Sequence, residues 1–205
     1  MDINRIVVTV HPVYNEILRL SDDHRQALSK QQVIMMKQMF HNMGELVFDA
    51  QGRAGSLFVF VPTGIKGIKQ FTLQQEKFIK FAQSALGSRF VLTPAGFGSE
   101  NSKHALREIT YVKRRLRKFS FKRKVEILLD GQFTSLCVST ADSRLKSILR
   151  HRNINAKSTL LPTALSIWEA RELSPVPGTS NIIFKRWKKR TARARKPIKR
   201  ALRPV

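Results

Sequence analysis

The stretch from Lys103 to Lys124 constrains the fold of this chain more than any other. Ten of its residues are basic, and Glu108 is its only acidic residue. Its apolar residues recur at spacings of three and four, which places them on one face of a helix; they are Leu106, Ile109, Val112 and Leu116. The pattern predicts a surface helix that packs an apolar stripe on a folded core and turns its cations outward.

Composition supports a folded chain with an anionic partner. Hydrophobic residues make up 42% of the 205 residues, which is enough for a core. Lysine and arginine number 38 against 14 acidic residues, a net charge of +24. Such an excess costs stability through self-repulsion, and it indicates a partner of opposite charge. Two windows hold most of it, with ten cations in 103–124 and eleven in 185–205.

These two windows supply the predicted nucleic-acid contacts. Arginine and lysine neutralise phosphates and release their counterions, and a guanidinium grips phosphate through two hydrogen bonds. Trp187, set among cations, is a candidate for stacking on an unpaired base or for packing on the body of the protein. The predicted contact residues are Arg107, Lys113, Arg114, Arg115, Arg117, Lys118, Lys122, Arg123, Lys124, Lys185, Arg186, Trp187, Lys188, Lys189, Arg190, Arg193 and Arg195.

The order of elements predicts an α+β fold. Short β-branched or aromatic runs indicate strands at 5–10, 45–50, 56–61, 89–93, 125–130, 133–139 and 159–161. Helical spacing indicates helices at 28–43, with Gly44 as its stop, at 73–86, in the basic stretch, at 142–152 and at 163–173.

Turn signals at 51–55 and at Asp130-Gly131 indicate two β-hairpins. We therefore expect one or two ferredoxin-like βαββαβ units, one in 1–95 and a second, carrying the basic helix, in 96–173. Residues 174–205 form a hinge and a cationic tail that is expected to be disordered until it binds. A doubly wound α/β sheet, which needs parallel crossovers, is the alternative.

These features predict a nucleic-acid-binding protein that acts through phosphate contacts, with RNA slightly favoured over DNA. A ribonucleoprotein, viral or mobile-element assembly is the expected setting, with other protein subunits as further partners. A structural or matrix-type protein that binds anionic membrane or an acidic partner is another interpretation.

His11 and His104 are the candidate catalytic residues. Metal-independent RNA cleavage needs a general base at the 2′-hydroxyl and a cation for the phosphate, which either histidine with a nearby lysine could supply. Paired ferredoxin-like units beside a basic helix resemble the architecture of CRISPR RNA-processing endoribonucleases, although that family's glycine-rich signature is absent. The alternative is that both are ordinary surface or capping histidines.

The segment from Gly131 to Ala141 contains Thr134 and Cys137-Val138. It resembles the nucleophile region of isochorismatase-like cysteine hydrolases, where Cys-Val precedes a helix. That resemblance implies an aspartate at the end of the first strand and a lysine before the middle strand–helix junction. Here the first strand contains Thr9, and RFVLTPAGFG has no lysine. The alternative is a buried, unreactive Cys137.

Other classes of site have little support in the sequence. No P-loop or dinucleotide fingerprint is present, and carboxylates are too scattered for a two-metal centre, so neither a cofactor nor a metal is predicted. One cysteine, no signal-like region and no long apolar run indicate an intracellular, cytoplasmic protein without a transmembrane segment, or a nuclear or virion-associated one.

Overall fold

The computed structural model describes residues 2–11, 30–64, 69–131 and 134–161. Within them, five strands form one sheet: β1 (Ile3–Val10), β2 (Ser56–Val61), β3 (Phe90–Leu92), β4 (Phe121–Gly131) and β5 (Asn155–Leu160). The strand order is β3-β2-β1-β4-β5, and every neighbouring pair is parallel. The predicted helix at 163–173 and the tail lie outside the described residues.

The central strands are mainly apolar over their buried parts because both faces of the sheet are covered there. All six residues of β2 are buried, and so are the last five residues of β1. Four helices of the described residues supply the cover: α1 (Lys30–Gly52), α2 (Lys69–Leu86), α3 (Ala105–Leu116) and α4 (Ser139–Arg150).

Two cores lie on opposite faces of the sheet. On one face, α1 and α2 bury residues such as Val47 and Phe78 against Val7 of β1. On the other, α3 and α4 pack Val112 and Leu145 among the alternate strand residues. Helices on both faces of a parallel sheet define a doubly wound α/β arrangement, the alternative that the sequence offered.

The mixed α and β content is confirmed, but the ferredoxin-like topology is not, because the sheet is parallel. Strands β1 to β3 come from 1–95 and β4 and β5 from 96–173, and β1 pairs directly with β4. Strands from both predicted units therefore belong to the same sheet.

The two predicted hairpins are wrong. Residues 45–50 continue α1 past Gly44 instead of forming a strand. After β4, residues 134–138 form a π-helical turn that leads directly into α4, so the strand predicted at 133–139 does not exist in the described part of that range. Strands β1 and β2 are instead joined through α1, and β4 and β5 through α4. Parallel neighbours require such crossover connections.

Gly131 ends β4 beside Val10, its pairing partner in β1. Its φ is +124°, and a Cβ at this position would collide with the backbone carbonyl oxygen of Val10. Glycine is therefore required here by a close approach of β4 to β1 and not by a hairpin turn.

Candidate nucleic-acid interface

Helix α3 buries a narrower stripe than its sequence predicted. Val112 and Leu116 are fully buried in the core that α3 and α4 share, and Ile109 packs against it. Leu106, expected in the same stripe, is 83% exposed. Helix α3 begins at Ala105, so Leu106 lies in its first turn. At that position it is outside the core that α3 and α4 share.

The basic stretch is divided between a helix and a strand. Helix α3 ends at Leu116, a short turn follows, and β4 begins at Phe121. Of the ten cations, Lys113 and Arg115 are half-buried and eight are exposed. We define the α3 basic surface as the cations of α3 and of the turn after it, which are Arg107, Lys113, Arg114, Arg115, Arg117 and Lys118.

The three cations that begin β4 do not all face the same way. Lys122, Arg123 and Lys124 are exposed. Lys124 lines a shallow groove with Glu126 and Lys157 on the face of the sheet opposite α3. The structure therefore brings the helix and turn cations together and places at least Lys124 apart from them.

The ten cations have no polar partner among the described residues. Across residues 2–11, 30–64, 69–131 and 134–161, none of them forms an ion pair or a side-chain hydrogen bond. The only acid of α3, Glu108, turns inward, where its side chain is 12% exposed and its Oε2 lies 3.9 Å from Nη1 of Arg144. The outward charge of α3 is therefore not neutralised from within the described chain.

Other arginines of the chain are structural. Arg89 and Arg144 each bind two backbone carbonyl oxygens at 2.8 to 2.9 Å. Arg152 donates to the carbonyl oxygens of Leu116 and Phe119, both at 2.9 Å. Because these guanidinium groups are already satisfied by backbone acceptors, they are poor candidates for phosphate contacts.

The second cationic window falls outside the described residues. Its predicted contacts are Lys185, Arg186, Trp187, Lys188, Lys189, Arg190, Arg193 and Arg195. They remain predictions from the sequence.

His11 follows β1 at the carboxyl edge of the sheet and is 8% exposed. Its φ is +44°, and Nε2 lies 2.9 Å from the carbonyl oxygen of Ala95. Since a carbonyl oxygen only accepts, Nε2 carries the proton. Burial lowers the pKa of His11 below its usual range, although the Ala95 contact opposes this. The imidazole is therefore neutral at pH 7.

His104 precedes α3 and is exposed. Among the described residues, no hydrogen bond joins it to His11, whose ring bonds Ala95. The two catalytic candidates therefore do not form a pair in the described chain. The architectural resemblance to CRISPR RNA-processing endoribonucleases rested on paired ferredoxin-like units, and the parallel sheet does not confirm those units.

Cys137 lies near His11 across Gly98. A Cβ on Gly98 would be 3.3 Å from Cε1 of His11 and 3.4 Å from the carbonyl oxygen of Cys137. Cys137-Val138 immediately precedes α4, which is the position that the isochorismatase-like resemblance implies. Thr9 is fully buried, and its hydroxyl has no hydrogen-bond partner among the described residues.

The environment of Cys137 does not activate its thiol. Burial raises the pKa of Cys137, and the negative charge of Glu100 raises it further. A nucleophilic cysteine needs the opposite, a cation or base that stabilises the thiolate. The thiol is therefore protonated at neutral pH, which favours the interpretation of an unreactive cysteine.

Comparison with known protein families, curated proteins and solved structures finds no significant match to this chain. Among the described residues, no cluster of three or more histidine, cysteine or acidic side chains has the arrangement of a metal site. In the same residues no helix combines the length and apolar character needed to cross a bilayer.

Proposed function

We propose that this chain binds nucleic acid through the α3 basic surface, with RNA slightly favoured over DNA. The expected setting is a ribonucleoprotein, viral or mobile-element assembly. One observation carries the proposal: the cations of 103–124 have no partner within the described chain, and the single acid of α3 is turned inward. Unpaired, mostly exposed cations at this density match the phosphate backbone of a nucleic acid.

Binding through phosphates makes a quantitative prediction for salt. The logarithm of the affinity should fall linearly with the logarithm of salt concentration, by about 0.7 per phosphate contact for single strands and about 0.9 for duplex DNA. The double substitution Arg114→Ala with Arg117→Ala removes two exposed cations. It should weaken binding to every sequence and reduce the salt slope by roughly 1.4 for single-stranded RNA.

A charge-matched control lies on the other face of the sheet. Lys77 and Lys80 are exposed on α2, so Lys77→Ala with Lys80→Ala removes the same charge away from α3. It should leave the salt slope nearly unchanged. Equal effects of the two double variants would show that only net charge matters and that the α3 basic surface is not the binding site.

The probes distinguish the other interpretations. Labelled single-stranded RNA, hairpin RNA, duplex DNA and anionic liposomes are each titrated across a salt series, and the RNA is then run on a denaturing gel. Binding with intact RNA supports the proposal. Discrete cleavage without metal would instead support a ribonuclease, with His11 and His104 as its first candidates. Preference for liposomes would support the membrane interpretation, and no binding near physiological salt would refute the proposal.

A further inference from the structure

Tyr111 lies on the solvent-exposed side of α3. It is 44% exposed, and the helical repeat places Arg107 at i−4, Arg114 at i+3 and Arg115 at i+4. Residues three and four apart are neighbours on a helix surface. The tyrosine is therefore surrounded, along the helix, by three arginines of the α3 basic surface.

The ring of Tyr111 is partly exposed and has no specific partner within the described residues. Within the described residues it has no ring–ring contact, no cation–π contact and no side-chain hydrogen bond. The exposed rings of Phe48 and Phe81 differ, since they pack on each other with centroids 5.3 Å apart. A ring partner thus accounts for those two exposed aromatic side chains, whereas Tyr111 has none among the described residues.

The spacing of the arginines suits a strand that passes over the ring. Arg107 and Arg114 are seven residues apart, or about 10 Å along the helix axis. Tyr111 lies between them. Guanidinium groups on both sides of the ring can thus bind phosphates on either side of one nucleotide, while its base stacks on the tyrosine.

We propose that Tyr111 is a base-stacking platform and that the α3 basic surface therefore takes single-stranded nucleic acid in preference to duplex. This inference rests on the proposed function. The faces of paired bases in a duplex are covered by their neighbours, whereas the bases of a single strand can be splayed onto an aromatic ring.

The test compares Tyr111→Ala with Tyr111→Phe in the full chain. The probes are a labelled 12-nucleotide oligouridine and a blunt duplex of about 12 base pairs, titrated by fluorescence anisotropy. Loss of one stacked base weakens binding roughly 5- to 140-fold. Tyr111→Ala should therefore weaken oligouridine binding at least about fivefold and duplex binding less than about twofold. Tyr111→Phe keeps the ring and should bind both probes like the unaltered chain.

Two further measurements separate stacking from other effects. Tyr111→Ala removes no charge, so its salt slope should match that of the unaltered chain, unlike that of Arg114→Ala with Arg117→Ala. Phe81→Ala, an exposed aromatic on α2, should leave oligouridine binding unchanged. Trp187 is present in every variant, so any stacking by it does not alter the comparison.

Specific outcomes would overturn the inference. If Tyr111→Ala weakens the binding of both probes equally, or of neither, the ring is not a platform for unpaired bases. If Tyr111→Phe is as weak as Tyr111→Ala, the hydroxyl matters and stacking does not. In each case a loss of affinity and salt slope in Arg114→Ala with Arg117→Ala leaves the proposed function standing. If the unaltered chain binds neither probe, the proposed function fails as well.

Discussion

Replacing Arg152 with methionine should destabilise the turn between α3 and β4, where the α3 basic surface ends. The Arg152 guanidinium, just after α4, donates to the carbonyl oxygens of Leu116 and Phe119 at 2.9 Å each. These carbonyls bracket the turn that holds Arg117 and Lys118. The guanidinium carbon also lies 5.0 Å from the centre of the Phe121 ring. One side chain thus joins the end of α3, the turn and the start of β4.

The magnitude follows from these three contacts. A hydrogen bond from a charged donor contributes about 1.5 to 3 kcal/mol. Arg152 is only half-buried, so the lower value applies to each bond, and the cation–π contact adds about 0.5 kcal/mol. Because methionine keeps most of the aliphatic packing, the expected loss is about 3.5 kcal/mol. For a chain of this size that corresponds to a fall in Tm of about 7 to 14 °C.

The assay is urea unfolding followed by circular dichroism, together with a thermal melt. Arg150 provides the matched control, because it is exposed and has no side-chain partner among the described residues. Arg150→Met should change the free energy of unfolding by less than about 0.5 kcal/mol. The argument would be refuted if the Arg152 and Arg150 variants were equally stable, since that would mean that the backbone contacts of Arg152 contribute nothing.

Two other predictions test the carboxyl edge and α1. Gly131→Ala should lower the free energy of unfolding, measured in urea, by more than about 2 kcal/mol, because its φ is +124° and the added Cβ would collide with the Val10 carbonyl. At Gly44 nothing lies within 4 Å of an added Cβ. Gly44→Ala should therefore stabilise α1 by about 0.5 to 1 kcal/mol. The pKa of His11 is lowered by folding from its ordinary 6.5, so below that pH the unfolded state binds more protons, and stability should fall as pH decreases, by at most about 1.4 kcal/mol per pH unit. His11→Asn tolerates the positive φ and should flatten this component of the pH profile between pH 7.5 and 5; an unchanged profile would contradict the assignment.

The sequence located most elements but missed how they are connected. The strands at 5–10, 56–61 and 125–130 and the helices at 73–86 and 142–152 all exist, with shifted ends. Their signals are local: β-branched runs and helical spacing. Whether two strands pair parallel or antiparallel depends on the segment that lies between them. The local signals predict that segment wrongly at both hairpins.

Each of the two wrong hairpin predictions has a physical cause. Gly44 predicts the end of a helix, but apolar spacing continues across it through Met43, Leu46, Val47 and Ala50, all of which are buried. Burying that face outweighs the roughly 1 kcal/mol that a glycine costs inside a helix. Asp-Gly is a strong hairpin signal, yet at Asp130-Gly131 the glycine serves the close approach to β1. A sequence window contains no information about that distant neighbour.

The candidate site was only partly predictable for a related reason. Helical spacing correctly places Val112 and Leu116 inward and Arg107 and Arg114 outward, and the same spacing indicates an outward Tyr111. It cannot separate free cations from structural ones. Arg152 is satisfied by Leu116, which is 36 residues away along the chain. Only the folded arrangement shows which arginines remain available.

The fold itself accounts for part of the basic stretch and leaves the rest unexplained. Lys113, Arg114 and Arg115 lie in the last turn of α3, where the negative end of the helix dipole favours each cation by about 0.3 to 1 kcal/mol. That effect fades beyond the helix end, whereas five more cations follow in 117–124. They lie where α3 meets the start of β4, at the amino edge of the sheet.

Small ligands of doubly wound sheets bind at the other edge, beyond the carboxyl ends of the strands, where the strand order reverses. In this chain that place is between β1 and β4, near His11 and Gly131. The excess charge at the amino edge is therefore not explained by the usual ligand crevice of the fold. Like charges at this density repel one another and destabilise the folded chain. An extended polyanion crossing α3 and the following turn, as in the function we propose, would relieve that repulsion, which a small ligand at the carboxyl edge would not.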